Sequence, residues 1–177
     1  MVYSVAMSLD GYIAGPHGES DWIVIDPEID FGAIFARFDA VLMGRKTYEI
    51  TRTPQGGSMA GVTSYVFSRT LRQADCPGVT VSEDPSQTIP ALKEQAGKDI
   101  WLFGGGELFR SLLELGLVDR VSVPIVPVLL GSGLPLLPDS ASRAQLRLEE
   151  EQVYPKTGTV SLEYSVVRNR ARRKRSS

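Results

Sequence analysis

The first two thirds of the chain contain several short apolar runs. Segments in which apolar residues recur at helical spacing lie between several of these runs. The runs at residues 40–43, 64–67 and 100–103 each predict a short buried strand. The run at residues 2–8 predicts a strand that opens the chain. Strands that alternate with helices predict a largely parallel sheet with helices on its faces.

The last third of the chain has a different pattern. Residues 146–154 and 160–168 predict an antiparallel hairpin, because apolar and polar residues alternate in its second arm. Residues 121–130 are also β-rich, but two prolines favour a sheet edge or a bulge there, and such an edge could pair two subunits. The predicted fold is α/β: one domain over residues 1–167, with a central mostly parallel sheet flanked by helices and a C-terminal antiparallel hairpin.

Helical patterns follow at three places. Asp26-Pro27-Glu28 has the signature of a helix start, with Asp26 as the cap, although this carboxylate could instead reach into a pocket. The apolar residues at helical spacing behind it should face the core: Phe31, Ile34, Phe35 and Phe38. Residues 90–96 and 107–115 predict two more helices, each followed by a glycine.

Polar clusters follow three of the predicted strands. The first contains Gly44, Arg45 and Thr47, the second Ser68 and Arg69, and the third Gly104, Gly105 and Gly106 (the glycine triplet) between Phe103 and Glu107. Because the carboxyl ends of parallel strands share one edge of a sheet, the clusters should converge there. Backbone N–H groups that no side chain covers at a helix start, together with guanidinium groups, favour a ligand with several phosphates. The spacing matches neither the Rossmann dinucleotide fingerprint nor a P-loop.

The net charge of −2 combines an acidic body with a basic C-terminus. Six of the last ten residues are basic, and residues 168–177 predict a disordered, solvated tail. The acidic body argues against nucleic acid as the main partner. The single histidine excludes a histidine-rich metal site, and we expect no metal. A single cysteine and the absence of a membrane-spanning run point to the cytoplasm.

A polar loop rich in glycine follows the first strand. It covers residues 15–21, and Trp22 closes it. Its composition is equally typical of an active-site lid and of a plain surface loop.

Taken together, these segments resemble the dihydrofolate reductase-like superfamily. Within it they are most similar to the branch that contains the reductase domain of riboflavin biosynthesis (the C-terminal domain of a bifunctional deaminase-reductase) and its stand-alone relatives. The matching segments are Ser8-Leu9-Asp10-Gly11-Tyr12-Ile13-Ala14, Met43-Gly44-Arg45-Lys46-Thr47-Tyr48-Glu49, Phe67-Ser68-Arg69-Thr70-Leu71, Phe103-Gly104-Gly105-Gly106-Glu107 and Gly116-Leu117-Val118-Asp119-Arg120-Val121. They follow the family's order over residues 1 to about 136, and the closing hairpin is compatible with them.

The resemblance implies NADPH as the cofactor and gives each polar cluster a role. The cluster at Gly44, Arg45 and Thr47 resembles the turn that faces the pyrophosphate, and Ser68 with Arg69 resembles the site of the adenosine 2′-phosphate. The glycine triplet, with its neighbours Phe103 and Glu107, resembles the backbone that the pyrophosphate and the nicotinamide ribose approach. Ala6 and Ile13 resemble the positions that hold the nicotinamide amide.

The resemblance also places residues on the substrate side. Ser8 and Asp10 lie where the riboflavin-type branch faces substrate and cofactor, and Asp10 could contact the reacting substrate and supply a proton. Asp10-Gly11 is also typical of an ordinary turn. Trp22 resembles the tryptophan near the pterin of dihydrofolate reductases. Those enzymes bind the pterin through a carboxylate of the first helix. In this chain Asp26 is near the corresponding region, but it has the local signature of a helix cap.

The expected function is reduction of a pyrimidine- or pteridine-type heterocycle, as in the 5-amino-6-(5-phosphoribosylamino)uracil reductase of riboflavin biosynthesis. Two alternatives stay open: dihydrofolate reductase activity, and a nucleotide-binding protein without catalysis. The expected partner is a small heterocyclic substrate, and the resemblance alone implies a homodimer.

Overall fold

A computed structural model describes residues 1–52, 61–138 and 143–168 of the protein. Along the chain the elements are β1 (Val2–Ser4), β2 (Met7–Ser8), β3 (Tyr12–Ala14), α1 (Phe31–Phe35), β4 (Phe38–Gly44), α2 (Arg45–Thr51), β5 (Thr63–Phe67), a 3₁₀ turn (Gln73–Asp75), β6 (Thr80–Ser82), α3 (Pro85–Glu94), β7 (Asp99–Gly104), α4 (Gly106–Glu114), β8 (Arg120–Val126), β9 (Leu134–Pro135), β10 (Gln145–Tyr154) and β11 (Thr159–Val167). The predicted tail lies outside the described residues, except for Arg168.

Within the described residues, nine strands form one sheet in the order β10–β11–β8–β1–β7–β4–β5–β6, with β2 beside β8. The pairs from β8 through β6 are parallel. The last two strands, β10 and β11, form an antiparallel hairpin, and β11 attaches it to β8 in an antiparallel register. The predicted mixed α/β fold with a closing hairpin is therefore confirmed.

The central strands are buried on both faces. Successive residues of a strand point to opposite faces, so Val41 and Leu42 of β4 belong to two different apolar clusters. On one face, Tyr3 of β1 stacks on Phe109 of α4 with ring centroids 3.9 Å apart. On the other face, Trp101 packs among aromatic neighbours that include Phe38. This two-sided burial explains why the strands are nearly continuous apolar runs.

The first helix differs from its prediction. It begins at Phe31, and its cap is Asp30, whose Oδ1 accepts a hydrogen bond of 2.9 Å from Ala33 N–H. The prediction that Asp26 caps a helix was therefore wrong. The helix has no buried residue: Phe31 and Phe35 are exposed, and Phe38 is buried only because it has already entered β4. The helix is short because strand pairing with β7 fixes the chain in an extended form by Phe38.

The third helix also begins earlier than predicted. It covers Pro85–Glu94 instead of residues 90–96, with Asp84 as its cap and Pro85 in its first turn. Pro90 lies inside the helix, and Gly97 lies beyond its end. The aspartate-proline signature of a helix start thus holds at Asp84, whereas at Asp26 it does not.

The predicted sheet edge at residues 121–130 was wrong, because β8 lies between β1 and β11. Its proline is accommodated by a break in the neighbouring strand. β1 pairs with β8 as far as Ser122 of β8, and β2 takes over the pairing from Ile125 of β8. Pro124 therefore lies opposite the gap between β1 and β2. A residue without an N–H group fits such an interruption. The edges of the described sheet are β10 and β6.

A cluster of ion pairs joins the amino ends of β1 and β8. Asp119 accepts from the amino group of Met1 at 2.8 Å, and it also pairs with Lys93 and Arg168. Partial burial opposes ionisation of Asp119, but hydrogen bonds from Lys93 and from the Met1 amine lower the pKa of Asp119 below its usual value.

We expect this cluster to stabilise the fold only above acidic pH. Because the pKa of Asp119 is lower in the folded than in the unfolded state, its contribution is complete above about pH 4 and disappears as the pH falls further. Asp119→Asn should lower the free energy of unfolding at neutral pH by about 1 kcal/mol. Urea unfolding over a pH series checks this. The variant should lose less stability than the wild type on acidification, and parallel curves would contradict the assignment.

Candidate functional site

Three polar turns lie side by side at one edge of the sheet. Strands β7, β4 and β5 are parallel neighbours, so their carboxyl ends meet at this edge, which we call the carboxyl edge. Met43 of β4 lies beside Gly104 of β7, and Gly44 lies beside Phe67 of β5. The structure therefore brings together the three clusters that the sequence places after these strands.

The glycine triplet forms the turn between β7 and α4. Gly105 precedes the helix, and no side chain caps the helix N-terminus. Gly104 has φ +137°, a region that favours glycine, and its peptide bond to Gly105 is cis. A methyl group added to Gly105 would lie 3.6 Å from Thr47 Oγ1. Thr47 therefore lies beside Gly105 across a gap that no side chain of Gly105 fills, and the uncapped N–H groups at the start of α4 favour an anion.

The residues on either side of the triplet have separate environments. Phe103 is half-buried and packs edge-on against Trp101, with centroids 4.9 Å apart. Glu107 is exposed in the first turn of α4, and one of its carboxylate oxygens lies 2.9 Å from Arg110. Phe103 therefore supports the turn from the apolar side, whereas Glu107 lies in solvent.

Two guanidinium groups flank the gap. Arg45, at the start of α2, is exposed and pairs with Glu49 one helical turn later at 3.0 Å. Arg69 follows β5 and is also exposed. No other described residue pairs with its guanidinium. The Ser68 hydroxyl shapes the turn that presents Arg69, because it accepts hydrogen bonds from the N–H groups of Thr70 and Leu71 at 3.1 and 3.0 Å.

Asp10 ties two loops together. Its carboxylate accepts hydrogen bonds from the Ser8 hydroxyl at 2.7 Å and from the N–H groups of Leu130 and Gly131 at 3.1 and 2.7 Å. The bond from Ser8 lowers the pKa of Asp10 most, and the bonds from Gly131 and Leu130 act in the same direction. Asp10 is therefore an anion at neutral pH, a state that accepts a proton and does not supply one. The predicted turn is present too, since Gly11 N–H donates to Ser8 O at 3.0 Å.

A small second sheet closes one side of the carboxyl edge. Ile13 lies in β3, which pairs with β9 through Tyr12 and Ala14. A methyl group added to Gly106 would lie 3.0 Å from Pro135 O, so β9 packs directly against the start of α4. Ala6 lies in the gap between β1 and β2, at the same edge as the triplet. The structure thus places Ala6 and Ile13 on the side of the edge opposite to Arg69.

The loop that Trp22 closes crosses from β3 to α2. A methyl group added to Gly18 would lie 3.7 Å from Ile50 Cδ1 of α2. Trp22 is half-buried, and its indole N–H donates to Glu19 O at 3.1 Å. Trp22 therefore belongs to a loop that reaches α2 at Gly18, and its indole is hydrogen-bonded within that loop.

Asp26 is fully buried, and its side chain is bonded inside the protein. Oδ1 accepts from Glu28 N–H at 2.9 Å, and Oδ2 accepts from the N–H and the hydroxyl of Thr157 at 3.1 and 3.0 Å. Burial opposes ionisation of Asp26, but these hydrogen bonds lower its pKa below the usual value. Its partner Thr157 was missed from the sequence, because a contact across 131 positions leaves no local pattern.

Other kinds of site find no support in the part of the chain that the structure describes. No group of three or more histidine, cysteine, aspartate or glutamate side chains there could hold a metal ion. In the same residues, no helix is long and apolar enough to cross a membrane.

Comparison with known proteins agrees with this geometry. The family model of the RibD C-terminal domain matches residues 1–160. The chain is 32% identical to the uncharacterised protein YyaP of Bacillus subtilis (strain 168) over an alignment of 176 positions, which covers 93% of this chain and 93% of the other. It is similar to the crystal structure of a Shewanella sp. PV-4 protein named for riboflavin biosynthesis, with a TM-score of 0.79, 25% identity, and coverage of 94% of this chain and 98% of the other.

A second solved structure comes from Thermotoga maritima and is named as a diaminohydroxyphosphoribosylaminopyrimidine deaminase/5-amino-6-(5-phosphoribosylamino)uracil reductase. The TM-score is 0.66 at 19% identity, and the match covers 94% of this chain but 56% of that one. The described chain therefore has the dihydrofolate reductase-like fold. It belongs to the RibD C-terminal domain family, whose character is reductase-like.

Proposed function

We propose that the protein is an NADPH-dependent reductase of a pyrimidine- or pteridine-type heterocycle. The observation that carries the proposal is the convergence of three phosphate-compatible turns on adjacent strand ends, one of which leads into the uncapped N-terminus of α4. Gly105 has no side chain, so its backbone beside Thr47 is open to a pyrophosphate, and a methyl group there would obstruct that approach. Bound NADPH would supply the hydride.

The residues of this chain would bind and orient the two reactants. Arg69, held by Ser68, would pair with the 2′-phosphate, and Arg45 would exchange Glu49 for the pyrophosphate. Backbone groups at Ala6 and Ile13 would hold the nicotinamide amide. Asp10 and Ser8, which lie on that same side, would bound the substrate end, where the ionised Asp10 would accept hydrogen bonds.

The substrate class rests on the family. The Thermotoga maritima protein is named for a deaminase and a reductase, and this chain matches only the part of it that has the present fold. The 5-amino-6-(5-phosphoribosylamino)uracil of its name is therefore the first candidate substrate. Dihydrofolate is the second candidate, and Asp26, the acid expected to hold a pterin, is bonded to Thr157 instead.

The test is NADPH oxidation, followed by absorbance, with the riboflavin-pathway aminopyrimidine and separately with dihydrofolate. We expect turnover with the aminopyrimidine and little with dihydrofolate. If NADPH binds but neither compound is reduced, both named activities are excluded and a non-catalytic nucleotide-binding role becomes the better description.

We also infer a homodimer that uses the exposed apolar residues of the edge strand β10. Strand β10 is almost entirely exposed, and Leu146, Leu148 and Val153 on it lie beside the apolar residues of β11 on one face. An exposed apolar stripe of this kind is typical of an interface. Light scattering should give a dimer mass at micromolar concentration and a monomer for Leu148→Glu. A monomeric wild type would contradict the inference.

A further inference from the structure

The turn of the C-terminal hairpin lies at the substrate end of the carboxyl edge. The hairpin runs antiparallel to β8, so its turn, residues 155–158, reaches the end at which β8 finishes. A methyl group added to Gly158 would lie 3.3 Å from Pro127 Cγ, directly after β8. The same end carries Ala6 and Ser8, because β1 and β2 are parallel to β8.

Thr157 lies in this turn and is hydrogen-bonded to the side chain of Asp26. Its N–H and its hydroxyl both donate to Asp26 Oδ2, and its hydroxyl oxygen also lies 3.1 Å from Thr159 Oγ1. Asp26, Thr157 and Thr159 form a largely enclosed polar cluster, in which Asp26 and Thr159 are almost fully buried. A buried charged acceptor makes each such hydrogen bond stronger than an ordinary neutral one.

The loop that carries Trp22 has few other ties to the fold. The hydrogen bonds that residues 15–25 make with described residues stay within the loop: Gly15 to Glu19, Gly18 to Gly15, His17 to Glu19, Trp22 to Glu19 and Ile23 to Ser20. The next hydrogen bonds along the chain that leave this loop are those of Asp26 with Thr157. An exposed ion pair of 3.0 Å between Lys156 and Glu28 lies beside them.

We propose that Thr157 is a positioning residue for the substrate: through Asp26 it anchors residues 15–30, the loop that carries Trp22, at the end of the sheet edge where β8 finishes. The proposal rests on the proposed reductase function for its kinetic consequence, but the anchoring itself does not. Thr157 does not need to touch the substrate. The anchor would lower the KM for the heterocycle by restricting the loop, and it would leave NADPH binding nearly unchanged because neither Asp26 nor Thr157 contacts the turns at Gly44, Ser68 or Gly104.

The experiment compares hydrogen exchange in four variants of the full chain. Thr157→Val keeps the shape of the side chain and removes the hydroxyl, whereas Thr157→Ser keeps the hydroxyl. Asp26→Asn disrupts the same contact from the other side. Lys156→Ala is the matched control, since it breaks only the exposed ion pair of the same turn, which contributes little.

Mass spectrometry of the peptide over residues 15–30 gives the readout. Loss of the hydrogen bond between the Thr157 hydroxyl and Asp26 should raise the rate of amide hydrogen exchange over residues 15–30 by roughly fivefold in Thr157→Val and Asp26→Asn. Thr157→Ser and Lys156→Ala should stay within about twofold of the wild type. Residues 85–94, in α3, should not change in any variant. Unchanged exchange over residues 15–30 in both disrupting variants, or equal acceleration over residues 85–94, would overturn the anchor.

Kinetics separate this proposal from the proposed function. If the aminopyrimidine is reduced, Thr157→Val should raise its KM by roughly fivefold with a smaller change in kcat, while the Kd of NADPH stays constant. A changed kcat with constant KM would overturn the positioning role. If no reduction occurs in the wild type, the reductase proposal fails, and the exchange result still decides whether Thr157 anchors the loop.

Discussion

Arg69→Ala is expected to raise the Kd for NADPH by about tenfold to a hundredfold and to leave the Kd for NADH within about twofold of the wild type. Arg69 is exposed on the turn after β5, at the end of the cleft farthest from Ala6. A guanidinium can bind two phosphate oxygens at once, and NADH has no 2′-phosphate for it to bind. The expected loss is therefore selective.

The control for this prediction is Arg72→Ala. Arg72 is an exposed cation three positions later in the chain, so its removal changes the net charge equally without changing the turn that Ser68 holds. Titrations with both dinucleotides, followed by fluorescence, give the four Kd values. Equal losses for NADPH and NADH in Arg69→Ala would show that Arg69 does not recognise the 2′-phosphate.

Gly105→Ala is expected to weaken NADPH and NADH together, by at least about tenfold, while the fold survives. The backbone of Gly105, with φ −91° and ψ −168°, is open to alanine, and the added methyl group would make an ordinary contact of 3.6 Å with Thr47 Oγ1. The stability cost should be about 1 kcal/mol or less, as for other cap positions. The methyl group would nevertheless fill the gap in which we place the pyrophosphate, a group that both dinucleotides share.

Gly106→Ala is the contrasting variant. Its methyl group would lie 3.0 Å from Pro135 O and from Pro138 Cδ, both too close for an unstrained contact. We expect this change to lower the melting temperature by several degrees, since it wedges α4 away from β9. Melting curves and NADPH titrations of the two variants together test the site. If Gly105→Ala binds NADPH as the wild type does, the pyrophosphate does not lie at the glycine triplet.

Much of this site could be predicted from the sequence because its signals are local. An apolar strand that ends in glycine or in a polar cluster can be recognised within ten residues, and this holds for the turns at Gly44, Ser68 and Gly104. Their meeting at one edge followed from the parallel arrangement of the strands. The closing hairpin was predictable for the same reason, since its alternation lies within one segment.

The parts that were missed depend on contacts between distant segments. Asp26 carries a valid capping signature, but Thr157, 131 positions away, binds its carboxylate, and Asp30 caps the helix instead. The prolines after Val121 suggested an edge, because nothing local reveals that the partner strand breaks opposite Pro124. Asp10 was predictable as a turn residue, but its bonds to Leu130 and Gly131 were not.

The position of β1 in the middle of the sheet has a consequence for folding during synthesis. Val2 pairs with Trp101 on one side and with Arg120 on the other, so β1 is synthesised long before either neighbouring strand and has no partner in the sheet until β7 follows. Pairings between segments this distant in the chain close slowly, because a long loop must be ordered before any contact forms. Until then the apolar residues of β1 and β4 depend on local helices or on chaperones for protection from aggregation.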